Sequence, residues 1–312
     1  MNRLLVVYNT CGISKRVNIN YYIQALHSIF QQDLDGVTVA LSTCCNDAEH
    51  INHLLETFPK LVANANFNQV PVSVTFNDTV EQCVKLLGEF EGYVFVDSGI
   101  VMQKPDDLRN LYDLYTVNQD TISARTNEDT GYDIWFGTTQ FGQNLFEHDH
   151  LSIEVGRAVN LHVQFFSNEW LQAYNRILPD IFAGQSMESV FSFLTASLQK
   201  KWFVHKDVVL FHNTGMDGPS SGFLPHIWKA RGNETWDHLF GTQESILDII
   251  NRGKKYGMGY EEVFDIAIHD SSKFDENGYV LDDRLQHYIR DNLFLTKEQF
   301  DYSKMNTQFI LP

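Results

Sequence analysis

The sequence predicts an α/β fold, a mostly parallel twisted sheet flanked by helices, followed by a mainly helical C-terminal extension. Three observations carry this. Short apolar runs alternate with helical-period stretches through the first third of the chain, as expected of strand–helix units joined by right-handed crossovers. The runs are close to continuously apolar, which suits strands covered on both faces. After about Trp236 the strand pattern gives way to short helical segments.

In order along the chain, Leu4 to Tyr8 reads as a buried strand and Asn9 to Ser14 as a loop containing Gly12. A helix is expected from about Asn18, with Ile23, Leu26 and Phe30 on one face. Gly36 ends that connection, and Val37 to Leu41 is a second strand. Asp47 is placed to cap a helix whose residues Ile51, Leu54, Leu55 and Phe58 follow the i, i+3, i+4, i+7 template. Val70 to Phe76 reads as the third strand, with Asn77-Asp78 capping a helix that carries Val80, Cys83, Val84 and Leu87. Tyr93 to Val96 is the fourth strand, and it runs into Asp97-Ser98-Gly99. Pro105 suits the first turn of a helix with Leu108, Leu111, Tyr112 and Tyr115. Parallel order then places Asn9-Thr10, Ser42-Thr43, Asn77-Asp78 and Asp97 on one rim, the carboxyl edge where open α/β sheets bind ligands.

The middle of the chain is less regular. Thr130 to Gly137 and Val159 to Phe166 read as strands, Ser186 to Leu198 as a helix, and Val208 to Phe211 as a strand that delivers His212. The Gly-rich loop from Asn213 to Gly222 has the composition of loops that close over ligands. Beyond it, Ser245 to Ile250 and Arg284 to Leu293 read as short helices, with Gly278 to Leu281 the one strand-like run. This gives three parts: 1–115, 116–222 and 223–312.

The net charge of −17, from 40 acids against 23 bases, argues against a broad phosphate-backbone footprint on nucleic acid. The four cysteines, Cys11, Cys44, Cys45 and Cys83, make neither a disulfide framework nor a zinc site. No apolar run reaches the roughly 18 residues of a membrane span, so a cytoplasmic protein without a membrane partner is expected.

Several stretches resemble the inverting, nucleotide-sugar-dependent glycosyltransferases with the A-type (GT-A) fold, in a family-2-like form. Leu5 to Thr10 is similar to that family's opening strand. Tyr22 to Gln32, with its Ser-x-x-x-Gln ending, resembles its first helix, and Leu41 to Asp47 stands in the place of its D-D-G-S-x-D. There only Asp47 matches, so the contact to the base falls on Thr43. Asp97-Ser98-Gly99 stands where the family's D-x-D is expected. Met187-Glu188 through Phe211-His212 matches an acidic pair at a helix start followed by a short strand ending in histidine. Phage and other viral genomes encode trimmed, soluble enzymes of this kind.

The resemblance implies residues 1–115 as the nucleotide-sugar-binding half, 116–222 as the acceptor and catalytic half, and 223–312 as a helical extension. It implies Glu188 as the general base. Asn9, Thr10, Thr43, Asp78, Asp97, Ser98 and Gly99 would line the donor site. Asp97 and His212 would hold a divalent cation, Mn2+ or Mg2+. Gly99 takes the place of the motif's last acid, and Lys15, Arg16 or Arg125 would neutralise the phosphates if no ion binds. The donor is a nucleotide sugar, a UDP-sugar foremost; the acceptor is a glycan, a protein or a hydroxymethylated DNA base. A sugar-1-phosphate nucleotidyltransferase and a non-catalytic nucleotide-sugar-binding module are the alternatives.

Other constellations point elsewhere more weakly. His269-Asp270 matches the H-D pair of metal phosphohydrolases, but that chemistry needs further ligands, for which His238 and Asp282 offer themselves. Trp135, Phe165, Phe166 and Trp170 are aromatic candidates for stacking on a sugar or a base, or for the core.

Overall fold

The computed structural model describes residues 3–10, 18–44, 48–67, 72–118, 121–126, 145–147, 152–155, 163–174, 177, 200, 202–213 and 305–312. Its strands form one 11-stranded sheet in the order β11-β3-β2-β1-β4-β9-β6-β10-β8-β7, with β5 paired to β10. Chain order gives β1 (Leu4–Thr10), α1 (Ile19–Phe30), β2 (Val37–Cys44), α2 (Ala48–Thr57), β3 (Val62–Asn66), α3 (Val72–Leu87), β4 (Gly92–Asp97), β5 (Ile100–Val101) and α4 (Asp107–Asn118). There follow β6 (Thr121–Thr126), β7 (Leu145–Glu147), β8 (Ser152–Val155), β9 (Val163–Ser167), α5 (Asn168–Tyr174), β10 (Trp202–His212) and β11 (Thr307–Ile310). The fold is α/β with a mostly parallel central sheet flanked by helices, as the sequence predicts.

The parallel centre is β3-β2-β1-β4. The chain winds outward from β1 through β2 to β3, then returns to add β4 on the other side of β1. Such a reversal is a topological switch point, and it opens a crevice at the carboxyl ends of the two strands that flank it. Here those ends are Asn9-Thr10 and Asp97. Antiparallel β9 continues the sheet from β4, and β6 and β10 run parallel to each other beyond it.

Residue alternation decides which helices cover which face. Leu4, Val6, Val94 and Val96 join one core cluster with Leu26 and Ile29 of α1, Leu54 of α2 and Leu111 of α4. Phe95, between those two valines, points the other way and meets Phe76 of α3 at a centroid distance of 5.2 Å. So α3 lies on the face opposite α1, α2 and α4. Asn18 caps α1, accepting the Asn20 N–H on Oδ1 at 3.0 Å. At α4, Asp107 Oδ2 accepts from Gln103 N–H and Lys104 N–H, both at 2.8 Å.

Two expectations are corrected. The third strand is not Val70 to Phe76: residues 72–76 are the first turns of α3, and β3 lies earlier, at Val62–Asn66. Alternating Val72, Val74 and Phe76 mimicked a strand, but Ser73, Val74, Thr75, Phe76 and Asn77 are all buried. An alternating pattern buries only one face of a strand; consecutive burial here comes from a helix end packed all round. The true strand, Val-Ala-Asn-Ala-Asn, has Val62 as its one β-branched residue and no aromatic, so it carries little of the composition that marks most strands. As a result Asp78 is not a cap on the rim but lies inside α3. The second correction concerns the tail. Residues 307–310 form a strand, antiparallel to β3, in a tail read as mainly helical with its one strand-like run at Gly278 to Leu281. The expected elements at 130–137, 186–198, 245–250, 278–281 and 284–293 lie outside the described residues.

Phe165, Phe166 and Trp170 are core side chains. The Trp170 Nε1–H donates to the Ile177 carbonyl at 3.0 Å, and its ring lies 5.0 Å from that of Phe166. No helix among the described residues is long and apolar enough to cross a membrane.

Candidate functional site

The switch point is built from the last residues of β1, β2 and β4. Parallel registry puts Asn9 beside Asp97 on one side and Ser42 on the other, and Ser42 beside Asn64 of β3. Side chains in register share a face. Asp97, Asn9, Ser42 and Asn64 therefore make one polar row on the α3 side of the sheet. Thr10 and Thr43, paired one residue later, share the opposite face. The donor-site residues expected from the sequence are thus split by the sheet into Asn9 with Asp97, and Thr10 with Thr43.

The row is buried up to the half-buried Asp97, with Asn9 2 % exposed and Ser42 and Asn64 fully covered. Asn64 Nδ2–H donates to Asp78 Oδ2 at 2.8 Å and to Thr79 Oγ1 at 3.0 Å. This ties the far end of the row to α3. It also answers where Asp78 goes: it sits on α3 against Asn64, the member of the row farthest from Asp97, and holds β3 against α3.

The Asp97-Ser98-Gly99 turn is fastened from three directions. Asp97 Oδ1 accepts the Ser98 N–H at 2.8 Å, which fixes the carboxylate against its own turn. The Gly99 carbonyl accepts the Asn213 N–H at 2.8 Å. Antiparallel pairing sets Ile100 opposite His212 and Val101 opposite Phe211. The His212 imidazole thereby comes to rest on Gly99. A Cβ built at Gly99 would lie 3.4 Å from His212 Cδ2, 3.6 Å from its Nε2 and 3.2 Å from the Asn213 carbonyl oxygen. Gly99 itself has φ of 88°, a left-handed conformation that glycine adopts freely and other residues resist.

Asp97 and His212, singled out far apart in sequence, are therefore brought to one turn. Sequence reading missed what lies beneath them. Tyr8 is fully buried, and burial pushes its hydroxyl well above the ordinary range. The Tyr22 phenol and the Asp97 carboxylate push the same way, opposed by the Gly99 N–H. Tyr8 is a neutral phenol wedged under the turn. The one signal for it was a lone hydroxyl in an otherwise apolar strand, which is common enough to mean little.

Glu188, Lys15 and Arg16 lie outside the described residues, as do His238, His269, Asp270 and Asp282. Arg125 stands in β6 in register with Val209. Among the described residues no three His, Cys, Asp or Glu side chains converge as a metal group.

No protein-family model matches the chain, and no curated protein sequence does either. Solved structures do match in fold. GalNAc-T7 with UDP, GalNAc and Mn2+ superposes with a TM-score of 0.53 at 7% identity, over 68% of this chain and 44% of that one. The fold is that of an A-type glycosyltransferase. This chain spans under half of the GalNAc-T7 chain. A mannosyltransferase of Pyrobaculum calidifontis, PcManGT, in complex with GDP-Man and Mn2+, gives a TM-score of 0.49 at 13% identity, over 85% of this chain and 72% of that one. TarS 1–349 of S. aureus in complex with UDP gives 0.49 at 11% identity, over 99% of this chain and 97% of that one.

Proposed function

We propose that this chain is a nucleotide-sugar-dependent glycosyltransferase that moves a sugar, from a UDP-sugar foremost, to an acceptor hydroxyl with inversion. The observation that carries the proposal is the placement of Asp97. It stands half-buried on a fastened turn at the switch point of the parallel core, where an A-type fold receives its donor. Glycosyl transfer there needs a restrained leaving group, a base for the acceptor hydroxyl and exclusion of water. Asn9 and Asp97 on one face, Thr10 and Thr43 on the other, give the donor polar contacts on both sides of the sheet edge. Asp78 supports that edge through Asn64. Glu188 is the base in this reading, on the strength of its place in the sequence before His212.

The acceptor is a glycan, a protein or a modified DNA base. A net charge of −17 sets extended duplex contacts against the last of these. A flipped base needs only a pocket.

Calorimetric titration with a panel of UDP- and GDP-sugars, followed by an assay of nucleotide release, tests the reading. Donor binding and slow nucleotide release are expected. A protein that binds none of the panel and releases no nucleotide is not a glycosyltransferase of this kind. Glu188→Gln should keep donor affinity while transfer falls at least about a hundredfold, the usual contribution of a general base. Loss of donor binding instead would make Glu188 structural.

A further inference from the structure

We infer that the seam between the sheet and the first turns of α3 is a built water site, in which a file of ordered water runs along the buried row from Asn64 toward Asp97. Its ground is a set of unmet hydrogen bonds, independent of any donor. Four side-chain oxygens in this seam have no hydrogen-bond partner: Asn9 Oδ1, Ser42 Oγ, Asn64 Oδ1 and Thr75 Oγ1. None of the four residues is more than 2 % exposed. A buried polar atom that loses its hydration and gains no bond is costly, and folded proteins leave few of them without protein or ordered water.

Asn64 cannot be relieved by turning its amide over. Its Nδ2 donates to Asp78 Oδ2 at 2.8 Å and to Thr79 Oγ1 at 3.0 Å. The Thr79 hydroxyl has spent its own proton on the Thr75 carbonyl at 2.7 Å. Both partners are therefore acceptors, and a flipped amide would set oxygen against oxygen. Asn64 Oδ1 is fixed as an acceptor in need of a donor. Thr75 stands one turn before Thr79 on the same face of α3, which brings its hydroxyl to the same seam.

Spacing and chemistry select water. Asn9, Ser42 and Asn64 are in register on neighbouring strands, which lie about 4.8 Å apart. A direct bond between two oxygens reaches only about 2.8 Å, whereas two such legs meeting at one water span the gap. The occupant must donate to the amide oxygens and accept from the Ser42 and Thr75 hydroxyls, and water does both. An anion would find only the two hydroxyls as donors. At the far end the row stops at Phe309 of β11, in register with Asn64. At the near end it reaches the half-buried Asp97, so exchange with solvent is expected at the candidate site.

A crystal structure of the full chain, refined with ordered solvent, tests this without any substitution. Density is expected between Ser42 and Asn64 and between Ser42 and Asn9, within hydrogen-bond distance of both oxygens in each pair. Side chains rotated into direct bonds, with no density between them, would overturn the inference. So would an anomalous signal in the seam after soaking in rubidium chloride, which would make the occupant a monovalent cation. Water relaxation dispersion gives a second readout, in solution. Ser42→Val removes the central hydroxyl and fills its surroundings with methyl groups. The dispersion amplitude should then fall by about two long-lived waters, one for each strand gap beside position 42. An amplitude equal to that of the wild type would overturn the inference, and if the valine variant does not fold, the wild-type crystal structure decides.

Discussion

Gly99 concentrates the demands placed on the site. It turns the chain from β4 into β5, accepts the Asn213 N–H and leaves room for the His212 ring. Gly99→Ala should therefore destabilise the protein by about 1–2 kcal/mol from the left-handed backbone alone. At this chain size that lowers Tm by some 2–8 °C. Scanning calorimetry of the variant checks this, and an unchanged Tm would show that the turn relaxes without strain. Asp97 was legible in the sequence because four apolar or aromatic residues run straight into one carboxylate. Strand order likewise put Asn9 and Ser42 on its rim. Asn64 was not legible: it is an ordinary polar residue in a strand that the sequence pattern did not reveal, and only registry puts it in line with Asp97.

At the scale of elements, β1, α1, β2, α2, β4 and α4 could be read from the sequence, because each helix buries one clear stripe and each strand is a short, nearly continuous apolar run. The β3–α3 segment could not, since burial on all sides of the first turns of α3 erased the 3.6-residue period. Nor could β11. Thr307 and Gln308 are exposed, and only Phe309 and Ile310 are partly covered, with Ile310 against the main core. A strand held mostly by main-chain pairing leaves little trace in side-chain pattern. Its grip on β3 is specific all the same. Phe67 N–H donates to the Asn306 carbonyl at 2.9 Å, and Asn306 N–H to Asn66 Oδ1 at 3.2 Å. Ile310→Asp should release β11, because a carboxylate set against the core loses its hydration. The Phe67 amide should then exchange with deuterium markedly faster, and Ile310→Val should leave it protected. Unchanged protection in the aspartate variant would mean that the main-chain bonds suffice.

Across the whole molecule, the buried acids set an upper pH for stability. Burial, with Asp78 nearby, pushes the Cys83 thiol up to about 12 from its ordinary 9.0. Burial likewise raises the Tyr93 hydroxyl from 10.0 to about 12, with Glu89 adding and the Phe90 backbone opposing, and raises Tyr8 and Tyr115 as well. In each case the folded state keeps a proton that the unfolded chain gives up at lower pH. The unfolded state then binds fewer protons, so stability falls as pH rises. The stabilisation is fully present below pH 9.0 and drains away between there and about 12. Urea midpoints measured across that interval should decline steadily, and a flat profile would mean that these groups titrate normally in the folded chain.

The closing strand also puts a clock on biosynthesis. Asn306 meets Asn66 across 240 residues of chain. At a translation rate of about 5–20 residues per second, β3 waits roughly 12–48 s for its outer partner. During that interval the half of the fold that carries Asn9, Thr43 and Asp97 shows a bare strand edge to the cell, and bare edges recruit other strands. The vulnerable stage of this protein is therefore the half-made chain on the ribosome, and a nascent-chain chaperone covering β3 would meet a need that the finished molecule no longer has.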